Sequence, residues 1–174
     1  MKKIFKAAFV VLAAICFGQQ VKAQVSADSQ PVTVNINLTD AISIDLGASP
    51  TVDFNYATAA DYAAAKTVTK AAHFTVVSNQ VYDIDVQVDG DFNPVLDLAA
   101  LGLTVAVNSA TPTGGSPANA ILSAVNDPQP LITGAPASTG TVYTIDYTIP
   151  DASELITKAA GTYTTTVTYT ATQQ

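Results

Sequence analysis

The 174-residue chain has no arginine, no tryptophan, one cysteine and one histidine, and only 12% of its residues are charged. Acids outnumber lysines 14 to 7. A protein that grips nucleic acid needs a cationic footprint to displace counterions from the phosphates. This chain carries the opposite field, which also disfavours anionic membrane surfaces. The lack of tryptophan argues against a sugar-binding module built on indole stacking, although tyrosines offer a similar face. Most zinc sites draw three or four ligands from His, Cys and carboxylates. One histidine and one cysteine make such a set improbable.

The cysteine lies in a segment that bears on compartment. Lys2, Lys3 and Lys6 form a short basic opening, an apolar run follows from Ala7 to Phe17, and Val21-Lys22-Ala23 offers small or medium residues at the first and third positions before a cut. That is the pattern of a secretory signal peptide over residues 1–23, cleaved after Ala23. The run is about half the roughly 20 residues that span a bilayer as a helix. Ile15 before Cys16, and Ala13 three before it, do not suit lipoprotein processing. Cys16 therefore leaves with the signal, and packing rather than disulfides must stabilise residues 24–174. Those residues read as one domain with no membrane span, exported to the periplasm, cell surface or medium. Only Lys66, Lys70 and Lys158 remain against the 14 acids, a net charge of about −11.

What the chain does contain is threonine, valine, isoleucine and tyrosine in alternation, the composition of strands. Val32, Val34, Ile36 and Leu38 alternate with polar residues, as do Ile42, Ile44 and Leu46, and a short strand is read at Thr51–Tyr56. The alanine-rich stretch 57–66 suits a short helical turn with Thr58 as N-cap. Strands are then expected at His73–Val77, Val81–Val88, Leu101–Val107, Ala120–Val125, Leu131–Ile132, Thr141–Ile149 and Thr162–Thr172. Asp89-Gly90 reads as a tight hairpin turn, and 108–118 and 134–140 as loops. The fold class is all-β: an immunoglobulin-like β-sandwich of about eight to ten strands with one short helical turn.

No set of residues assembles a reaction. A Ser-His-Asp or Cys-His mechanism must pass through His73, which reads as an ordinary strand-end residue. Asp83, Asp85, Asp89, Asp91, Asn93 and Asp97 form an acidic cluster, and Asp89 and Asp91 are weak calcium candidates. An EF-hand needs glycine sixth and glutamate twelfth from Asp89, where Pro94 and Ala100 stand. Paired carboxylates run glycoside hydrolysis, but no aromatic-rich cleft accompanies a pair here. The threonine row at 164–170 is one row, where ice binding needs several. The expectation is a non-enzyme with no cofactor.

The segment Ala160-Gly161-Thr162-Tyr163-Thr164-Thr165-Thr166-Val167-Thr168-Tyr169 resembles the closing strand of pilin-like secreted bacterial β-sandwich proteins. That group includes spore coat protein U-like proteins and chaperone–usher pilins, whose strand often reads A-G-x-Y-x-x-x-V-x-V/Y. The opening is similar too: Val32–Leu38, then Ala41–Ile44, then Val52-Asp53-Phe54, with Asn55 in place of a glycine. His73–Val76 followed by Val81–Ile84 resembles their paired central strands. The cysteine pair common in the group is missing. The resemblance implies an immunoglobulin-like sandwich acting as an assembly subunit, whose incomplete sheet takes a strand from a neighbour's N-terminal extension. Gln24–Leu38 is the candidate donor, with Val32, Val34, Ile36 and Leu38 filling pockets. The alternative is that this strand belongs to its own sheet.

Two functions remain open. One is a secreted structural or adhesive surface protein, a pilus-like or coat subunit, meeting itself or other surface proteins through sheet edges. The other is a monomeric extracellular module for a carbohydrate or other ligand, using Tyr56, Tyr62, Tyr143 or Tyr147.

Overall fold

The computed structural model describes residues 33–93 and 95–174. The signal-peptide reading of residues 1–23, and Gln24 to Val32, lie outside the described residues. One compact unit runs from Leu38 to Gln174. Along it the order is β1 (Ile42–Leu46), β2 (Lys66–Ser78), β3 (Tyr82–Val88), α1 (Leu98–Leu101), β4 (Leu103–Thr111), β5 (Ser116–Pro117), β6 (Asn119–Leu122), β7 (Gln129–Ala135), β8 (Ser138–Ile149) and β9 (Val167–Gln173). Two antiparallel sheets result, one in the order β1-β2-β8-β4-β6 and the other β5-β7-β3-β9.

Strict alternation produces the two sheet centres. In β3, Tyr82, Ile84, Val86 and Val88 are buried while Asp83, Asp85 and Gln87 stay half-exposed. In β8, Thr141, Tyr143, Ile145, Tyr147 and Ile149 turn inward. A fully buried side chain of this size contributes roughly 1.5–3 kcal/mol, so these faces and Phe74, Val76, Val105, Leu122 and Leu131 form the core. The Tyr82 and Tyr143 hydroxyls bond each other at 2.8 Å within it, which satisfies two polar groups that burial would otherwise penalise.

The order matches an immunoglobulin-like sandwich. There, four strands A-B-E-D form one sheet and C-F-G the other. Strands β1, β2, β8 and β4 take the first four places, and β3 and β9 take C and F. Among the described residues no strand lies on the outer side of β9.

Several local expectations change. β2 begins at Lys66, so His73 sits inside a 13-residue strand rather than at an end. Its ladder to β8 jumps from Lys70↔Ile145 to Phe74↔Tyr143, a bulge carrying two extra residues. Ala72 in the bulge has φ +46°, a left-handed conformation that strains a residue with a Cβ. Leu101 belongs to α1 and not to a strand. Asp97 caps that turn by accepting from the Ala99 and Ala100 N–H groups, and Gly102 ends it at φ +60°. Asp89-Gly90 joins no hairpin, because β3 pairs with β7 and β9 instead. The 108–118 loop shrinks as β4 runs on to Thr111 and β5 forms, and that at 134–140 shrinks to Pro136-Ala137. β9 begins only at Val167, leaving a single bridge at Asn93↔Thr164 ahead of it. The turn after Thr58 forms as a 3-10 turn at Ala59–Tyr62. Asp61 accepts from Thr58 N and Oγ1 and from Lys66 Nζ at 2.7 Å, which holds its carboxyl well below the usual carboxylate range.

Candidate functional site

The feature that stands apart from the closed core is one long margin of the sandwich. β1 ends one sheet and β9 ends the other. The Gln173 side chain of β9 donates to the Ala41 carbonyl at 2.9 Å, just before β1, so both edges fall on the same side. Among the described residues β1 pairs only with Phe74–Ser78 of β2. The stretch Thr51–Tyr56 is tied at its end to the start of β2 by Lys66, whose Nζ donates to the Asn55 carbonyl and lies 4.9 Å from the Tyr56 ring centroid. This stretch keeps the alternation of a strand, with Val52, Phe54 and Tyr56 half-buried between exposed neighbours, but forms no ladder among the described residues.

Apolar side chains line both flanks without being closed over. Ile42, Ile44, Val52, Phe54 and Tyr56 on one flank, and Tyr163, Val167, Tyr169 and Ala171 on the other, pack against the core yet remain half-exposed. In contrast, the facing strands β3 and β8 are closed to water on their inner sides. Among the described residues, the margin is therefore where the sandwich lacks cover.

A polar chain crosses the interior behind it. The bulge of β2 turns His73 inward, 4% exposed. Its Nε2 lies 2.8 Å from the Tyr147 hydroxyl of β8, and that hydroxyl lies 2.5 Å from the Tyr169 hydroxyl of β9. The His73 Nδ1 and the Tyr56 hydroxyl are enclosed without a protein partner. Burial, with the Lys70 ammonium adding to it, pushes the His73 pKa down. Burial pushes Tyr147 up to about 12 and raises Tyr169 and Tyr143 further. All three tyrosines stay neutral, and among the described residues the His73 ring bonds a tyrosine hydroxyl and no carboxylate.

The residues singled out from the sequence are scattered by comparison. Val34, Ile36 and Leu38 are 78%, 79% and 86% exposed, and residues 33–40 form no strand. The half-buried strand expected over Val32–Leu38 is thus absent from residue 33 onward, because an amphipathic strand forms only against an edge that accepts it. Val32 lies outside the described residues. Asp89 spends its carboxylate on Thr168 Oγ1 and Gln87 Nε2, which lowers its pKa. Asp91 borders a depression of about 380 Å³ whose other acid, Asp97, is engaged in capping α1. Among the described residues no three His, Cys, Asp or Glu side chains gather in metal-binding geometry. Of the four tyrosines offered for ligand stacking, Tyr143 and Tyr147 are core residues. Tyr56 and Tyr62 do meet near the surface, their centroids 5.1 Å apart. The open margin itself escaped sequence reading, since alternation marks an apolar face without saying what covers it.

No family model matches the chain, and no curated protein matches it. Among solved structures, one titled as that of a chaperone–usher pilus is similar over 87% of this chain and 99% of that one, at 15% identity and a TM-score of 0.38. No helix among the described residues is long and apolar enough to cross a membrane.

Proposed function

We propose that residues 24–174 are an exported structural or adhesive surface subunit, without enzymatic activity, that assembles by accepting a strand of a second copy along the β1/β9 margin. The observation that carries this reading is the pairing of an uncovered apolar margin with exposed apolar residues in strand alternation elsewhere on the same chain. In this reading the strand is Gln24–Leu38 of a neighbour, with Val32, Val34, Ile36 and Leu38 turned into the margin and its main chain adding to the free edge of β9.

Magnitudes say where the stability comes from. Four aliphatic side chains buried at roughly 1.5–3 kcal/mol each give about 6–12 kcal/mol. Ordering the backbone from residue 32 to 38 costs a similar amount, roughly 1–2 kcal/mol per residue. The surplus must come from the host: cover for Ile42, Phe54, Val167 and Tyr169, and ladder bonds to β9.

Size exclusion with light scattering and negative-stain imaging tests this on the chain 24–174 beside one that starts at Thr39. Ordered polymers are expected from the longer chain. The shorter should stay monomeric and be stabilised by a peptide of residues 24–38. A longer chain that is monomeric at every concentration, with no peptide uptake by the shorter, rejects strand donation. A monomeric binding module then becomes the better reading, with Tyr56 and Tyr62 as its stacking pair.

A further inference from the structure

The strand-donation reading, on which this inference rests, raises a competition. A segment joined to its own domain by a short linker sees that domain's margin at an effective concentration of about millimolar, if the linker can reach. At micromolar protein the segment's own margin would then win over a neighbour's by about a thousandfold. Assembly requires something that prevents the chain from folding back on itself.

The place where it would fold back is the junction just before β1. To lie between β1 and β9 of its own domain, the segment must reverse between Leu38 and Ile42 and form a hairpin with β1. A hairpin closed by Leu38 and Ala41 uses the Ala41 N–H and carbonyl for its first pair of bonds. Both are taken. Ala41 N donates to Asn79 Oδ1 at 2.9 Å, and the Ala41 carbonyl accepts from Asn79 N at 3.2 Å and Gln173 Nε2 at 2.9 Å. Asn79 Nδ2 also donates to the Thr39 carbonyl at 2.8 Å, and Gln80 Nε2 to Asp40 Oδ1 at 3.3 Å. Gln173 Nε2 is further held by Ser78 Oγ and Asn79 Oδ1.

Turn chemistry acts in the same direction. Two-residue hairpin turns of the favoured types need φ > 0 at one or both central residues and prefer Asn-Gly or Asp-Gly. Thr39-Asp40 places a β-branched residue first. Ala72 and Asn126 alone among the described non-glycine residues have positive φ.

We infer that the amide junction formed by Asn79, Gln80 and Gln173 around Thr39–Ala41 keeps the N-terminal segment out of its own margin, so that only a second copy of this chain can receive it. The junction is a positioning device for assembly: it blocks the intramolecular product and leaves the intermolecular one.

The test uses the chain 24–174 and three forms of it: wild type, Gln173→Ala, and a turn variant combining Thr39→Asn, Asp40→Gly and Gln173→Ala. Polymer mass is read by light scattering, with and without an excess of the 24–38 peptide. Wild type should form polymers that the peptide shortens. The turn variant should shift at least about tenfold toward monomer, and that monomer should ignore the peptide because its margin is filled. Gln173→Ala alone should move part of the way, which keeps the test readable if the turn variant misfolds. Wild-type polymers capped by peptide, with both variants polymerising to the same extent, overturn the junction's role and leave strand donation standing. A wild type that neither polymerises nor binds the peptide overturns both.

Discussion

Tyr82 and Tyr143 put two hydroxyls in the centre of the core and, among the described residues, these bond only each other. Removing either one strands the other, and an unsatisfied buried hydroxyl costs roughly 1–3 kcal/mol. Tyr82→Phe and Tyr143→Phe should each lower stability by that amount in urea titrations, and the double variant should lose less than the sum of the two. His73 makes a pH-dependent contribution. Its folded pKa lies below the ordinary value, so the unfolded chain takes up protons first as pH falls. The stability held by neutral His73 is complete above about pH 6.5 and drains as pH drops below that value toward the depressed folded pKa. The groups facing it are Lys70 from β2, Tyr147 from β8 and Tyr169 from β9, none of them a carboxylate to rescue the imidazolium. Melting curves at pH 7.5 and 5.5 should therefore separate in the wild type and draw together in His73→Phe. A separation that survives the substitution would assign the pH response to the carboxylates instead.

At the scale of elements, the bulge in β2 is built against a specific glycine. A Cβ on Gly47 would sit 2.4 Å from the Ala72 carbonyl oxygen, a backbone atom, and Gly47 N donates to the His73 carbonyl at 2.7 Å. Gly47→Ala should destabilise by roughly 1–3 kcal/mol through this overlap, readable as a lowered urea midpoint at constant slope. The same bulge explains part of what could and could not be read beforehand. β3 and β8 keep unbroken period-two alternation and were legible nearly to their ends. The first half of β2 also alternates, at Lys66, Val68 and Lys70, but lysines on the inward side and the Ala71-Ala72 break disguise it. Four-residue α1 is shorter than any periodicity, though Asp97 and Gly102 mark its ends. Over Val32–Leu38 the pattern is as regular as in β3, and residues 33–38 still form no strand, because alternation specifies a buried face without specifying which edge, or whose, buries it.

For the molecule as a whole, a net charge of about −11 over residues 24–174 opposes any contact between copies. Screening length shrinks from about 30 Å at 0.01 M salt to about 10 Å at 0.1 M. Assembly of the chain 24–174, followed by light scattering, should therefore accelerate as salt rises over that range. Rates that fall with salt would point to attraction between unlike patches and a different interface. The sheet topology carries one more consequence, about time. β3 cannot complete its sheet until β9 arrives, and Asp85 meets Thr170, 85 positions further along the sequence; the β2–β8 pairing that centres the other sheet, Phe74 to Tyr143, is nearly as distant. Folds dominated by such pairings form in milliseconds to seconds. A chain delivered amino end first must therefore wait with its apolar strands bare, and whatever shields it in that interval decides how much of it survives to fold.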